Sequence, residues 1–372
     1  MSDVKIEKIL GFDKVRKIIS DRCSTEYGAA RAAAEDFCTD EKEIRRRLLL
    51  TDEMRLIVMF EESFPSNGYI DATSFLRTLS KAGANIDVVS LAKLRTMLET
   101  LQKISDFFVD IKDGVYPALK KMTSAIVLYP EVLHKVDSIL DKYGNVKDTA
   151  SDALYGIRSA IKEKEGTVSK RMASILKSAQ ASGFVEQDAS IVMRDGKMLL
   201  PVSSANKRKV SGFVYDESSS GKTTFIEPAE IVELTNEISE LRFSENREIA
   251  RILSEFSDWV RPYVPDLLKG AECIGELDFI IAKAQTALDF VAGMPIISDA
   301  GEVILRKARH PLLERALRKE GRDIVPLSIT LTPQKHIVLI SGPNAGGKSV
   351  CLKTVGLLQY MFQYGMLIPT SE

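Results

Sequence analysis

Residues 339 to 356 read LISGPNAGGKSVCLKTVG. Gly342, Pro343, Asn344, Ala345, Gly346, Gly347, Lys348 and Ser349 satisfy the pattern G-x-x-x-x-G-K-[ST]. Such a stretch suits a phosphate cradle. Glycines let the backbone turn its N–H groups toward phosphate oxygens with no Cβ in the way. A helix starting there adds a partial positive charge. Lys348 is expected to reach the β- and γ-phosphates, and the Ser349 hydroxyl to ligate Mg²⁺. The bland alternative is a tight turn that merely ends a strand. Binding is also not hydrolysis, which needs a carboxylate in the magnesium shell and a group that orients the attacking water. After Ser349 the only acidic residue is Glu372. The chain is therefore expected to leave its site incomplete, to turn over no nucleotide alone, and to be the front of a larger protein.

The loop needs a strand before it and a helix after it. HIVLI (336–340) is a short apolar run of the kind buried on both faces of a parallel sheet, and KSVCLKTVGLLQYMFQYG has helical periodicity. With the site left incomplete, strand 337–340 is expected to lack parallel neighbours and to leave an exposed edge. Upstream, EVILRKARHPLL and SITLTPQKHIVLISG are rich in strand formers. Residues 1 to about 140 read as helices. EKEIRRRLLLTDEMRLIVMF and DVVSLAKLRTMLETLQKISDFF carry one-face apolar spacing, with Asp87 or Ser90 as an N-cap for the second. The triplet Arg45, Arg46, Arg47 reads as a solvated helix face.

Two long segments stand out between these ends. From Val146 to Ala181 the apolar positions are Leu154, Ile157, Ile161, Val168, Met172, Ile175 and Ala179, with one gap at Lys164. From Ala229 to Val260 they are Ile231, Leu234, Ile238, Leu241, Ile249, Ile252, Phe256 and Val260. Each reads as a coiled-coil-like seam on a helix on the order of 50 Å long, needing a partner to be stable. Each is expected to be the other's partner. The insertion between them has β character. SIVMRDGKMLLPVS turns at Asp195-Gly196, a strong hairpin signal, and KVSGFVYDESSSGKTTFIEP turns at a Ser/Gly run. Lys207, Arg208 and Lys209, with Arg194 and Lys197, could grip a phosphate backbone through charge. They could equally be solubilising loop charges.

Composition excludes little. Of 372 residues, 45% are hydrophobic and 28% charged, and the net charge of −1 announces no nucleic acid by itself. Cys23, Cys38, Cys273 and Cys351 are scattered, without zinc or disulfide spacing. The start, MSDVKIEKIL, lacks a signal-peptide core. The apolar stretch 278–298 is interrupted by Lys283, Gln285 and Asp289, so no membrane partner is expected. A reducing cytoplasm fits this pattern.

RHPLLE (309–314), IVPLSITL and ISGPNAGGKSVCLKTVGLLQYMFQYGMLIP strongly resemble the start of the ATPase domain of MutS-type proteins. The segment SGFVYDESSSGKTTFIEPAEIVELTNEI resembles the second bacterial branch of that family, which lacks the mismatch-reading domain and carries a C-terminal Smr nuclease domain. The resemblance runs through essentially the whole chain in order. It implies a mainly α, multidomain fold: a helical core (1–145), antiparallel lever helices (146–182 and 228–262), a β clamp tip (183–227), a helical return (263–295) and the N-terminal part of a P-loop ATPase domain (296–372). It implies ATP and Mg²⁺ as cofactors, held by Gly342, Asn344, Gly346, Gly347, Lys348 and Ser349, with Ile324 and Val325 packing the adenine. It also implies a homodimer at full length, and branched DNA or ribosomal RNA as partner. Within that motif His310 is expected to be a packed or hydrogen-bonded turn residue and not a base.

The Phe-x-Glu triplet of mismatch readers occurs at Phe60, Phe184, Phe225 and Phe243. None lies in a segment resembling a reader domain, so mismatch recognition is not expected. Two other classes compete with the clamp: a P-loop kinase or transferase on a helical scaffold, and a protein-interaction module with an inert loop.

Overall fold

The computed structural model describes residues 3–342 and 347–371. Helices α1 (Asp3–Leu10), α2 (Phe12–Arg22), α3 (Glu26–Ala34), α4 (Glu41–Phe60), α5 (Thr73–Leu79), α6 (Val88–Asp110), α7 (Pro117–Thr123) and α8 (Pro130–Ile139) come first. Helix α9 (Asp152–Ala181) leads to strands β1 (Val192–Arg194), β2 (Lys197–Ser203), β3 (Gly212–Glu217) and β4 (Thr223–Pro228), and α10 (Ala229–Val260) follows. Then come α11 (Val264–Asp289), β5 (Val303–Ala308), α12 (Pro311–Lys319), β6 (Leu327–Leu331) and α13 (Lys348–Gln363). The fold is mainly helical with small antiparallel sheets. Among the described residues no helix is long and apolar enough to cross a membrane. Two compact units divide the chain: 1–84, 89–133 and 260–372 form one, and 85–88 with 134–259 form the other.

In the first unit α11 is buried along most of its length. Its glycines allow close approach. A Cβ on Gly275 would sit 2.3 Å from the Tyr27 ring, and one on Gly270 would sit 2.8 Å from Leu101. Buried Asp278 accepts hydrogen bonds from the Ser24 and Thr25 amides and the Thr25 hydroxyl, at 3.0, 2.8 and 2.7 Å. The Thr25 hydroxyl in turn accepts from Gly28 N–H at 2.9 Å, capping α3. One core gathers Phe12, Ile19, Leu48, Phe279 and Phe290 with Leu357, Met361, Tyr364 and Leu367. Residues from the first fifty and the last twenty positions thus share one interior.

Helix α4 begins after Asp40, whose carboxylate accepts from Lys42 N–H at 3.3 Å. Arg45 and Arg46 lie on its exposed side and pair with Glu41 and Glu43. Arg47 departs from the expected solvated face. It is largely buried and bridges Glu35 at 2.7 Å and Glu43 at 2.8 Å. The helix turn places it toward α3, and a triplet read by composition cannot separate its third member. Helix α6 starts directly after Asp87, where a cap was expected.

In the second unit Ser151 caps α9 through Leu154 N–H at 3.0 Å, so the helix starts at Asp152 and not at Val146, which instead bridges Leu140. Helices α9 and α10 run antiparallel. Ser151 bonds Glu248, Arg158 bonds Glu245, Lys164 pairs with Glu237, and Arg171 reaches the Glu230 carbonyl. Partners fall along α10 as they rise along α9. The gap in the apolar pattern at Lys164 is therefore filled by an ion pair. Ile161, Val168, Met172 and Ala179 meet Ile231 and Ile238 in a core shared with the sheet residues Leu200, Val202 and Ile226. The sheet is antiparallel in the order β1-β2-β4-β3. Asp195 (φ 48) and Gly196 (φ 77) form the expected hairpin turn.

The expected strand at 336–340 does not form. These residues have no ladder partner among the described residues, and Leu339 is 90% exposed. A run built for burial on both faces needs a neighbouring strand and covering helices. Among the described residues β6 pairs with β5 alone, antiparallel.

Lys283 on α11 is 2% exposed, with its ammonium 4.7 Å from the Phe279 ring centroid. Burial pushes its pKa down to about 8. Glu35 and Glu276 oppose that shift, and Arg47 and Arg46 reinforce it. Between pH 8 and the unfolded value of 10.5 the unfolded chain binds more protons, so this group makes stability rise with pH. Lys283→Met is expected to stabilise the protein by up to about 3 kcal/mol at pH 7, with the gain vanishing near pH 10.5. Urea titrations of both proteins across that range check it. A pH-independent difference would contradict it.

Candidate nucleotide and nucleic-acid sites

Gly342 has φ +149, in a region an L residue avoids, and the chain reaches it as exposed backbone. Asn344 and Gly346, expected to contact phosphate, lie outside the described residues. Gly347 resumes at φ 81, ψ 10 and precedes α13 with no side-chain cap. Lys348 opens the helix, and its ammonium donates to the Gly342 carbonyl at 2.5 Å. Ser349, the second helical residue, is exposed. The Cys351 amide bonds back to the Gly347 carbonyl at 3.0 Å. The first amides of an α-helix have no acceptors within the helix itself. The first turn carries no acidic side chain to offset its positive end. The lysine is therefore held over the loop's entry, at the end of a helix dipole suited to an anion.

These donors suit a magnesium nucleotide. Mg²⁺ takes few protein ligands when phosphates supply the others. Among the described residues no group of three His, Cys, Asp or Glu could hold a metal unaided. Ile324 and Val325 lie in the connection between α12 and β6, Ile324 half-buried and Val325 90% exposed.

The far end of α13 is locked. Tyr364 is fully buried and donates its hydroxyl to the Ala32 carbonyl at 2.8 Å. Tyr360 donates to Glu7 at 2.8 Å, and Glu7 pairs with Arg16 at 2.5 Å. Arg16 also donates to the Ala32 carbonyl at 2.6 Å and lies 5.1 Å from the Tyr364 ring centroid. The helix stops at Gly365 (φ 81), whose carbonyl accepts from the Thr51 hydroxyl at 2.9 Å. Sequence reasoning missed this bracket. Its only sequence trace is a pair of tyrosines one helical turn apart with a glycine behind them.

His310 caps α12, its Nδ1 accepting from Leu313 N–H at 3.4 Å, so its proton sits on Nε2. Desolvation, with Lys353 nearby, lowers its pKa. Arg309 donates to Glu314 at 2.8 Å and to the Val291 carbonyl at 2.7 Å, and its amide bonds the Pro369 carbonyl at 2.9 Å. The Arg-His-Pro motif thus clips α12 to the segment after α13.

On the second unit's sheet, three of the five expected cations are already engaged. Arg194 pairs with Asp216 and stacks 4.0 Å from the Phe225 ring centroid. Lys197 pairs with buried Glu227 at 2.6 Å, and Lys207 with Glu217 at 3.1 Å. Lys209 lies 5.6 Å from the Phe184 ring centroid, and Arg208 is exposed on the same turn. Residues 183–227 hold six basic and six acidic side chains. A sequence lists the cations in a row, whereas the sheet brings acids from other strands to them. Strand β3 is exposed at all six positions, including Phe213 and Val214.

The lock on α13 has a direct test. A Cβ on Gly365 would sit 2.3 Å from the Arg47 Cβ, at a φ that costs an L residue about 1–2 kcal/mol. Gly365→Ala is expected to destabilise the fold by about 2–4 kcal/mol in chemical denaturation. A midpoint equal to wild type would contradict the packing.

No protein-family model matches the chain. It is 34% identical over 370 residues to a protein named Endonuclease MutS2 from Listeria monocytogenes serotype 4a, covering 99% of this chain and 46% of that one. The protein of that name from Ruminiclostridium cellulolyticum is 30% identical over 369 residues, with the same coverage. That from Thermomicrobium roseum is 33% identical over 380 residues, covering 98% of this chain and 46% of its own length. The chain spans about half the length of the curated relatives it matches. Along nearly every residue, with Gly347 and Lys348 at the head of α13, the chain is thus similar to proteins of the MutS2 branch of the MutS family.

Proposed function

We propose that the chain is the ATP-binding and nucleic-acid-gripping part of a MutS-type clamp ATPase. In this reading 1–145 and 263–295 form the helical core. Residues 146–182 and 228–262 are lever helices, 183–227 the clamp tip, and 296–372 the start of the P-loop ATPase domain. The observation that carries the nucleotide half is the start of α13. A glycine at φ 81, a lysine over the loop entry and an acid-free first turn stand on a helix whose other end is fixed in the core.

Gly342, Gly347, Lys348 and Ser349, with Asn344 and Gly346, would hold the phosphates, and Ser349 would contribute to the magnesium shell. Bound Mg²⁺ would neutralise charge between the β- and γ-phosphates. The chain's own residues bind and orient. Lys348 exchanges the Gly342 carbonyl for phosphate oxygen, and the helix end supplies amide donors. Ile324 and Val325 are proposed to contact the base. The whole protein is proposed to act as a homodimer on branched DNA or ribosomal RNA, without mismatch recognition.

A second reading has two observations in its favour. The sheet's charges are balanced, and β3 exposes Phe213 and Val214. Both features suit a protein partner at that edge.

The polypeptide of residues 1–372 is expected to bind Mg·ATP in equilibrium dialysis, with Lys348→Ala weakening binding at least about tenfold. Equal binding by the variant would contradict the cradle. The same polypeptide is expected to show no ATP turnover above background. Hydrolysis abolished by Lys348→Ala would overturn that part.

A further inference from the structure

The second unit carries its uncompensated positive charge away from the sheet. From Gly166 to Val185 the sequence contains no Asp or Glu, yet it contains Lys170, Arg171 and Lys177. All three are exposed, as are Ser174 and Ser178. Val168, Met172 and Ala179 of the same stretch are buried in the seam with α10. Helical geometry then sets Lys170, Ser174 and Lys177 in one row on the opposite side of α9. Among the described residues Lys170, Arg171 and Lys177 make no ion pair, and the Arg171 guanidinium donates to the Glu230 carbonyl at 3.5 Å.

The row continues past the helix end. Asn206 donates to the Gly183 carbonyl at 3.3 Å, and Lys209 lies over Phe184. The turn that carries exposed Arg208 is therefore pinned beside the C-terminus of α9. That end of a helix is itself favourable to cations.

The neighbouring helix has the opposite character. Glu230, Glu233 and Glu240 are exposed on α10, where they would repel a polyanion. Over residues 166–185 the pair therefore has a basic side on α9 and an acidic side on α10, which favours approach of a phosphate backbone to α9 beyond exposed Glu163.

We propose that the outer face of α9, from Lys170 through Ser174 and Lys177 to the turn bearing Arg208, grips the phosphodiester backbone of a DNA duplex. The proposal rests on the nucleic-acid reading above and relocates its contact from the sheet to the helix. A duplex fits better than a single strand. Single strands are held by aromatic side chains that stack on bases, whereas the ring beside this row, Phe184, is half-buried and covered by Lys209. Lys170 and Lys177 are about 10 Å apart along the helix, a span that covers about three phosphates of one strand. The serine hydroxyls add donors of the kind that position a backbone without reading sequence.

The test is fluorescence anisotropy of a labelled DNA duplex with the full chain across a salt series. Three proteins are compared: wild type, the double variant Lys170→Gln/Lys177→Gln, and the control Glu233→Gln. The exposed substitutions avoid the core, and circular dichroism checks the fold. The double variant is expected to bind at least about tenfold more weakly near 0.1 M salt. Its slope of log affinity against log salt is expected to be shallower by about 2, since two phosphate contacts are lost. The control is expected to match or exceed wild type. Wild-type binding with an unchanged slope in the double variant would overturn this face and leave the nucleic-acid reading standing. No binding by wild type would overturn both. A loss seen with a single strand and not with the duplex would overturn the duplex assignment.

Discussion

The buried hydroxyl of Tyr364, bonded to the Ala32 carbonyl, sits where the first helices of the chain meet the last one. Around it Phe12 lies 4.9 Å from the Tyr364 ring centroid, and Arg16 spans both aromatic rings while closing on Glu7. This contact fixes the helix behind the phosphate loop. A glycine-rich loop has little structure of its own, so its geometry is set by what holds the helix behind it. That holding is done by α1, α2, α3 and α4, whose residues lie more than three hundred positions upstream. The interior is also costly to build. Arg16 and Lys283 are both taken out of water, and each is tolerated because acids or carbonyls face it.

The second unit applies the same physics to a longer lever arm of chain. Two helices with complementary charge and matched apolar rows pair antiparallel, and the sheet seals the end of their shared core. The charges used up in that pairing lie along the seam. Those left over on the outer side of α9 are available to a ligand. Position relative to the seam, and not the density of lysine in the sequence, separates the two sets.

Several features were legible before any coordinates. The helical spacing of Ile161, Val168 and Met172 against Ile231 and Ile238 announced the pair. Asp195-Gly196 announced its hairpin, because few other dipeptides accept two positive φ angles. The glycine loop announced a helix start, which lies at Lys348. Other features were not legible. HIVLI has strand composition, and its lack of parallel neighbours was expected, but not that it would then form no strand at all: among the described residues none pairs with it. Arg194, Lys197 and Lys207 looked free because Asp216, Glu227 and Glu217 come to them only through the strand order. Arg47 looked like Arg45 until helical rotation turned it toward Glu35. Tyr360 and Tyr364 carry no motif, and their role appears only once Glu7 and Ala32 are beside them.

The helix behind the phosphate loop belongs to the same cooperative interior as the amino-terminal helices. Native-state hydrogen exchange measures this most directly. Amides from Leu357 to Tyr364 are expected to open with the same free energy as those of α2 and α11, well above the 336–342 segment. Exchange of Leu357–Tyr364 at the rate of that exposed segment, while α2 and α11 stay protected, would contradict it.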